Sequence, residues 1–175
     1  MKDLLAYSRA GKSEQTWILI DLNQAMKQVI KNLHSEITAS QAQITVDQLP
    51  KVLVNPTEIN QLLQNILENA IKFRRDEEEL SIKLSSSVVP EGTQFQVSDN
   101  GIGIDLERYG AKLFHPFVRL TTDHPGAGTG LSLIKNMLEK TGEEITAKSQ
   151  PGEGTTFTIL FKNQNKKDSN QEEQS

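Results

Sequence analysis

Four polar side chains at helical spacing, Asn65, Glu68, Asn69 and Lys72, and two glycine-bearing segments, DNGIG at 99–103 and GAGTG at 126–130, hold the chemistry this chain can do. Amide and carboxylate oxygens are hard ligands of the kind Mg2+ takes alongside phosphate and water. Lys72 adds a point charge suited to a phosphate. A polar stripe on a helix is ordinarily a solvated face. Asparagine is a poor residue for a helix interior, however, and two on one stripe lower stability where Glu, Lys or Gln would not. A stripe written this way is expected to touch something.

The two glycine segments each admit a plain reading beside the chemical one. Asn100-Gly101 is a common hairpin signal, so DNGIG alone is compatible with a simple turn. Gly103, between Ile102 and Ile104, favours instead a loop that approaches a flat ligand closely. Asp99 needs a partner if buried, and the exocyclic amine of adenine is a natural donor. GAGTG leads into Leu131-Ser132-Leu133-Ile134, the start of a helix, and its unhindered amides plus the positive helix end make an anion cradle. Without a ligand the same segment is a flexible lid. Neither the dinucleotide fingerprint nor the Walker pattern applies: the spacing here is GxGxG after a polar stretch, and Gly11-Lys12-Ser13 has Ala6 where the Walker glycine belongs. Between the segments, LFHPFVRL (113–120) offers Phe114 to the core, Phe117 near Pro116, and Arg119 as a charge that can pair with a terminal phosphate or decorate a surface.

These residues need elements to position them. Ile59, Leu62, Leu63, Ile66, Leu67 and Ala70 recur at i, i+3 and i+4, which predicts a helix burying the face opposite the polar stripe. Asn55 caps it, Pro56 occupies its first position, Glu58 is placed for a capping box, and it runs to about Arg74. Asp21 caps an earlier helix carrying Leu22, Met26, Val29, Ile30 and Leu33. Strands are predicted at 16–20, 44–46, 52–54, 79–88, 93–98, 144–149 and 155–161, with turns at Pro90-Glu91-Gly92 and Pro151-Gly152. Leu131–Lys140 is a helix stopped by Gly142. Residues 1–13 resemble the stub of a longer amphipathic helix, 14–162 form the domain, and 163–175 lack any apolar period and are expected to be disordered.

The totals are those of a soluble single domain of 175 residues with a net charge of −4. The absence of cysteine removes disulfides, thiolate metal sites and cysteine nucleophiles. No long basic run invites nucleic acid, and no apolar stretch reaches the roughly 20 residues that cross a bilayer. A cytoplasmic location is expected, with no membrane contact by this segment.

With those residues in view, the chain resembles the catalytic and ATP-binding domain of sensor histidine kinases, above all those of phytochrome-type or PAS-linked architecture. QNILENAIKF looks like the family's N box, DNGIGI its G1 box, LFHPFVRL its F box and GAGTGLSL its G2 box. EITAKSQPGEGTTFTILF resembles its closing hairpin, so the likeness spans about residues 14–162. It implies an α/β fold, an α+β two-layer sandwich of the Bergerat type. Helices would pack on one face of a mixed, mostly antiparallel sheet, with ATP between the helix layer and a mobile lid.

Carried over by residue, the resemblance implies that Asn69 holds Mg2+, Asn65 helps bind phosphates and Glu68 acts as or supports the base. It implies further that Lys72 contacts phosphate and Asp99 takes the adenine amine in a pocket shaped by Gly101 and Gly103. Gly126, Gly128 and Gly130 would form the lid's phosphate-binding hinge, with Leu131 beside them. The opening LLAYSR resembles the end of a dimerisation helix. Two positions depart from the family pattern: Glu143 stands where a glycine is usual, with a small effect expected on the turn, and Ala127 stands where threonine is common. The family's acceptor histidine opens a His-Glu or His-Asp motif, which His34, His115 and His124 do not match. The expected activity is therefore transfer of the ATP γ-phosphate to a histidine outside this chain, on a dimerisation domain, with a response-regulator receiver downstream. The rival expectations are a catalytically silent ATP-binding module and an ATPase that uses water as acceptor.

Overall fold

The computed structural model describes residues 16–117 and 130–163. Strand β1 (Ile18–Asp21) ends at Asp21, whose carboxylate accepts from the Asn23 amide at 2.9 Å and starts helix α1 (Leu22–Asn32). Leu22, Ala25, Met26 and Val29 bury one face of α1. The helix stops at Leu33, and the chain resumes as α2 (His34–Ser40), which buries no residue and leaves His34 exposed. Strands β2 (Gln43–Val46) and β3 (Lys51–Val54) follow.

Helix α3 (Pro56–Lys72) forms for the reasons its sequence gives. The Asn55 side chain accepts from the amides of Thr57 and Glu58 at 2.9 and 3.1 Å, and Pro56 takes the first turn, where its missing N–H is harmless. Ile59, Leu62, Leu63, Ile66, Leu67, Ala70 and Ile71 are buried. Each large aliphatic among them contributes roughly 1.5–3 kcal/mol by leaving water. Beyond α3 come β4 (Ser81–Val89), β5 (Gly92–Asp99), the short α4 (Leu106–Tyr109) with a 3-10 turn at Gly110–Lys112, α5 (Gly130–Glu139), β6 (Glu144–Gln150) and β7 (Gly154–Lys162).

Five strands make one sheet in the order β2-β4-β5-β7-β6, with only β2 and β4 parallel. Alternation sorts its two faces. Ile82, Leu84, Phe95, Val97, Phe157, Ile159 and Phe161 are buried in one core with the apolar sides of α1, α3 and α5. Ser81, Lys83, Glu144, Thr146, Lys148 and Gln150 are exposed. This is the mixed, mostly antiparallel sheet with helices on one face that the sequence leads one to expect. β1 and β3 pair separately as an antiparallel ribbon, Ile18 opposite Val54, a pairing that local pattern does not specify.

The departure at Glu143 goes further than a small adjustment of a turn. The residue is only 4% exposed, and its Oε2 accepts from the Lys162 amide at 2.7 Å. A carboxylate in the glycine's place thus ties the turn between α5 and β6 to the last residue of β7. Among the described residues no helix is long and apolar enough to cross a membrane. The 1–13 and 164–175 portions of the predicted terminal segments lie outside the described residues.

Candidate functional site

Sheet parity brings the first functional side chain inward. Phe95, Val97 and Asp99 alternate along β5, and Asp99 stands opposite Ile82 on one side and Thr155 on the other. The last inward position of the strand is thus a carboxylate instead of an aliphatic. It faces the C-terminal end of α3, where Asn69, Ala70 and Phe73 emerge. A cavity of about 230 Å3 lies between them, lined also by Leu131 at the start of α5, Tyr109 of α4, Gly103, and Thr155 and Phe157 of β7.

Both oriented donors at Asp99 converge on one oxygen. Oδ1 accepts from the Gly101 amide at 2.8 Å and the Thr155 amide at 3.3 Å, and no hydrogen bond holds Oδ2 among the described residues. Burial pushes the Asp99 carboxyl above the ordinary carboxylate range, and those two amides pull the other way. The loop after Asp99 is held by contacts that only glycine permits. Gly103 has φ +72°, and a Cβ there would lie 1.9 Å from the Gln150 carbonyl. Gly154 has φ +91°, and a Cβ there would lie 1.9 Å from the Asp99 carbonyl. Ser149 completes the support, donating to the Gly154 carbonyl and accepting from the Ile104 amide, both at 2.7 Å.

The structure therefore gathers Asn69, Asp99, Gly103 and Leu131 on one cavity. Gly101 lies behind Asp99 as its amide donor. Gly130 abuts Asn69: a Cβ added to it would be 3.9 Å from Asn69 Nδ2. The rest of the stripe runs outside the cavity. Asn65 is half-buried, and its Nδ2 is buried with no acceptor among the described residues. Glu68 is exposed and accepts from Gln64 Nε2 at 2.7 Å, and the Lys72 ammonium lies 4.9 Å from the centre of the Phe73 ring. Arg119, Gly126, Gly128 and His124 lie outside the described residues.

A metal cage of protein side chains is not present: among the described residues no three His, Cys, Asp or Glu groups converge. The amide of Asn69, on the wall of the same cavity, fits an ion that takes most of its oxygens from phosphate and water. Sequence reasoning left out Phe73, Tyr109 and Thr155. The alternation of Thr155 with Phe157, Ile159 and Phe161 was the signal for Thr155, because it marks that residue as facing inward.

Comparison with known proteins adds family context to this geometry. Residues 54–165 match the family described as histidine kinase-, DNA gyrase B-, and HSP90-like ATPase. Cyanobacterial phytochrome A of Nostoc sp. is 38% identical over 157 residues, which are 89% of this chain and 20% of that protein. The chain thus spans about a fifth of the length of that curated relative. Among solved structures, full-length ShkA in complex with AMPPNP superposes with a TM-score of 0.75 at 24% identity, covering 93% of this chain and 35% of that one. The nucleotide-free catalytic domain of the histidine kinase ThkA gives 0.73 at 24% identity, covering 87% and 99%.

Proposed function

The chain belongs to the family of histidine kinase-, DNA gyrase B- and HSP90-like ATPases, and from that premise we propose that it binds Mg-ATP and transfers the γ-phosphate to a histidine of another domain or chain. One observation carries the reading: Asn69 and Asp99, distant in sequence, line the same mostly apolar cavity. An adenine ring suits such walls, and its exocyclic amine suits Asp99 Oδ2, since Oδ1 is already engaged by two amides. The triphosphate would then run along α3 toward Asn69, Asn65 and Lys72. The buried Nδ2 of Asn65 is a donor that a phosphate oxygen would satisfy, and leaving such a donor without an acceptor costs about 1–3 kcal/mol. The AMPPNP bound by ShkA supports the choice of nucleotide.

Asn69 is the residue that would hold Mg2+, which when bound supplies positive charge to the phosphates. This chain's own residues orient and neutralise. The Asp99 loop fixes the base, and Lys72 and, by its motif, Arg119 would offset charge at the transferring phosphoryl group, with Gly126, Gly128 and Gly130 assigned to phosphate by their motif. In the transfer a nitrogen of the acceptor imidazole attacks the γ-phosphorus and the bond to the β-phosphate oxygen breaks. ADP leaves, and the imidazole proton passes to Glu68, whose exposed position is reachable by an incoming helix. We assign the acceptor to a dimerisation domain, with a response-regulator receiver downstream and the reaction in the cytoplasm.

The test mixes this chain with γ-labelled ATP and a dimerisation domain bearing the histidine motif. Acid-labile label on that domain, abolished by replacing its histidine, is the expected result. Binding without transfer would make the chain a silent nucleotide module, and release of phosphate to water alone would make it an ATPase. Either outcome overturns the kinase reading.

A further inference from the structure

The Asp99 loop is tied down by residues outside the cavity, and one junction concentrates those ties. Asn100 makes four hydrogen bonds. Its Oδ1 accepts from the Ser81 amide at 2.8 Å, and its Nδ2 donates to the Glu79 carbonyl at 3.0 Å. Its own amide donates to the Ser81 carbonyl at 3.3 Å, and its carbonyl accepts from Arg75 Nε at 3.0 Å. The same guanidinium reaches Glu78 through Nη2 at 2.6 Å, so two of its faces are fixed at once. Two residues on, the Ile102 amide donates to the Phe73 carbonyl at 2.9 Å.

We propose that Arg75 and Asn100 are positioning residues for base recognition: a latch that fixes the Asp99–Gly101 loop against the end of α3 and so sets how the carboxylate meets the adenine amine. The inference rests on the nucleotide reading given above. Its physical basis is the chain path. Asp99 and Gly101 flank Asn100, and the Gly101 amide is one of the two donors that orient Asp99 Oδ1. Arg75 follows Phe73 on the same segment, so the Arg75–Asn100 bond joins the part of the chain carrying Asn69 and Phe73 to the part carrying Asp99. A side chain that only stabilised the fold would support every nucleotide equally. A latch acting through Asp99 affects chiefly the nucleotide that donates to Asp99.

The experiment compares ATP with ITP, in which a carbonyl replaces the exocyclic amine, by calorimetric titration well below the unfolding temperature. The unsubstituted protein should prefer ATP by on the order of 100-fold, the scale of one hydrogen bond to a charged acceptor. Arg75→Ala should weaken ATP about tenfold and leave ITP unchanged, so the preference falls about tenfold. Arg75→Lys, which keeps the charge but lacks the planar fork that holds Asn100 and Glu78 from two separate nitrogens, should recover only part of it. Asn100→Ala should match or exceed Arg75→Ala. Glu78 is half-exposed and poses no risk to folding; Glu78→Gln should lower the preference about twofold. Equal losses for ATP and ITP in the folded variants, or an unchanged preference, would overturn the latch while leaving the nucleotide site standing. An unsubstituted protein that binds neither nucleotide, or both equally, would overturn the reading of Asp99 and the latch with it.

Discussion

The two ends of the proposed nucleotide site are built on different principles. At the Asp99 end, Oδ1 is held by two amide donors, glycines permit close backbone contact, and the Ser149 hydroxyl braces the loop, so that only Oδ2 is left for a ligand. At the other end, the α3 stripe presents an exposed Glu68 that accepts from Gln64 and a buried Asn65 donor with no acceptor among the described residues. The first end is pre-organised for a rigid ring, where a fixed geometry lowers the cost of binding. The second is left to be completed by a flexible, charged chain and by whatever accepts the phosphoryl group. On the proposed nucleotide reading, rigidity lies where the ligand is rigid.

That contrast breaks most sharply at Asp99. Asp99→Ala should lower Mg-ATP affinity by on the order of 100-fold or more without unfolding the domain, as read by titration alongside circular dichroism. Retained affinity would mean the pre-organised end serves some other purpose. Asn69→Ala should cost roughly 30-fold for Mg-ATP and far less for ADP measured in a chelator, because the stripe acts through metal and phosphate. An equal loss in both conditions would erase the division between the two ends.

A subtler effect concerns pH. Because burial raises the Asp99 carboxyl in the folded chain, its protonated form is the one folding favours. The stability it contributes is full below the unfolded carboxyl's pKa, near 4, and is lost as pH rises through the raised folded value. Asp99→Asn keeps an oxygen for the two amides and removes the buried charge. The nucleotide-free variant should therefore gain stability relative to the unsubstituted protein as pH climbs through that window, while binding ATP poorly. Parallel thermal-unfolding curves across the window would show that the carboxylate carries no such strain. Smallest of all, Lys72→Ala should weaken Mg-ATP only about threefold, and the loss should shrink with added salt, as expected of a partly solvated charge. A salt-independent loss would mark Lys72 as part of the rigid end instead.

Much of this was legible in sequence because the signals were local. Asn55-Pro56 starts α3 as its cap chemistry requires, and the apolar positions from Ile59 to Ala70 define the buried face. Strand boundaries fall within about two residues of the alternation that predicts them. What local pattern could not supply was pairing. Nothing in TWILI says that β1 leaves the main sheet to join β3, and nothing in TTF alone says that Thr155 will stand opposite Asp99. Asn100-Gly101 carries the sharpest lesson. As a dipeptide it signals a hairpin, but β5 does not turn back there; it runs on into a loop, and the Asn100 side chain spends both its polar atoms bracing residues 79–81. Long-range hydrogen bonding overrode the turn propensity. Arg119, Gly126 and Gly128 rest on their motif alone.

The most direct test is calorimetric titration of Mg-ATP into the unsubstituted chain, Asn69→Ala and Asp99→Ala under one set of conditions. The account predicts saturable binding by the first and its loss in both variants, each still folded. Undiminished affinity in both would contradict it, because ATP would then occupy a place that neither the α3 stripe nor the end of β5 helps to form.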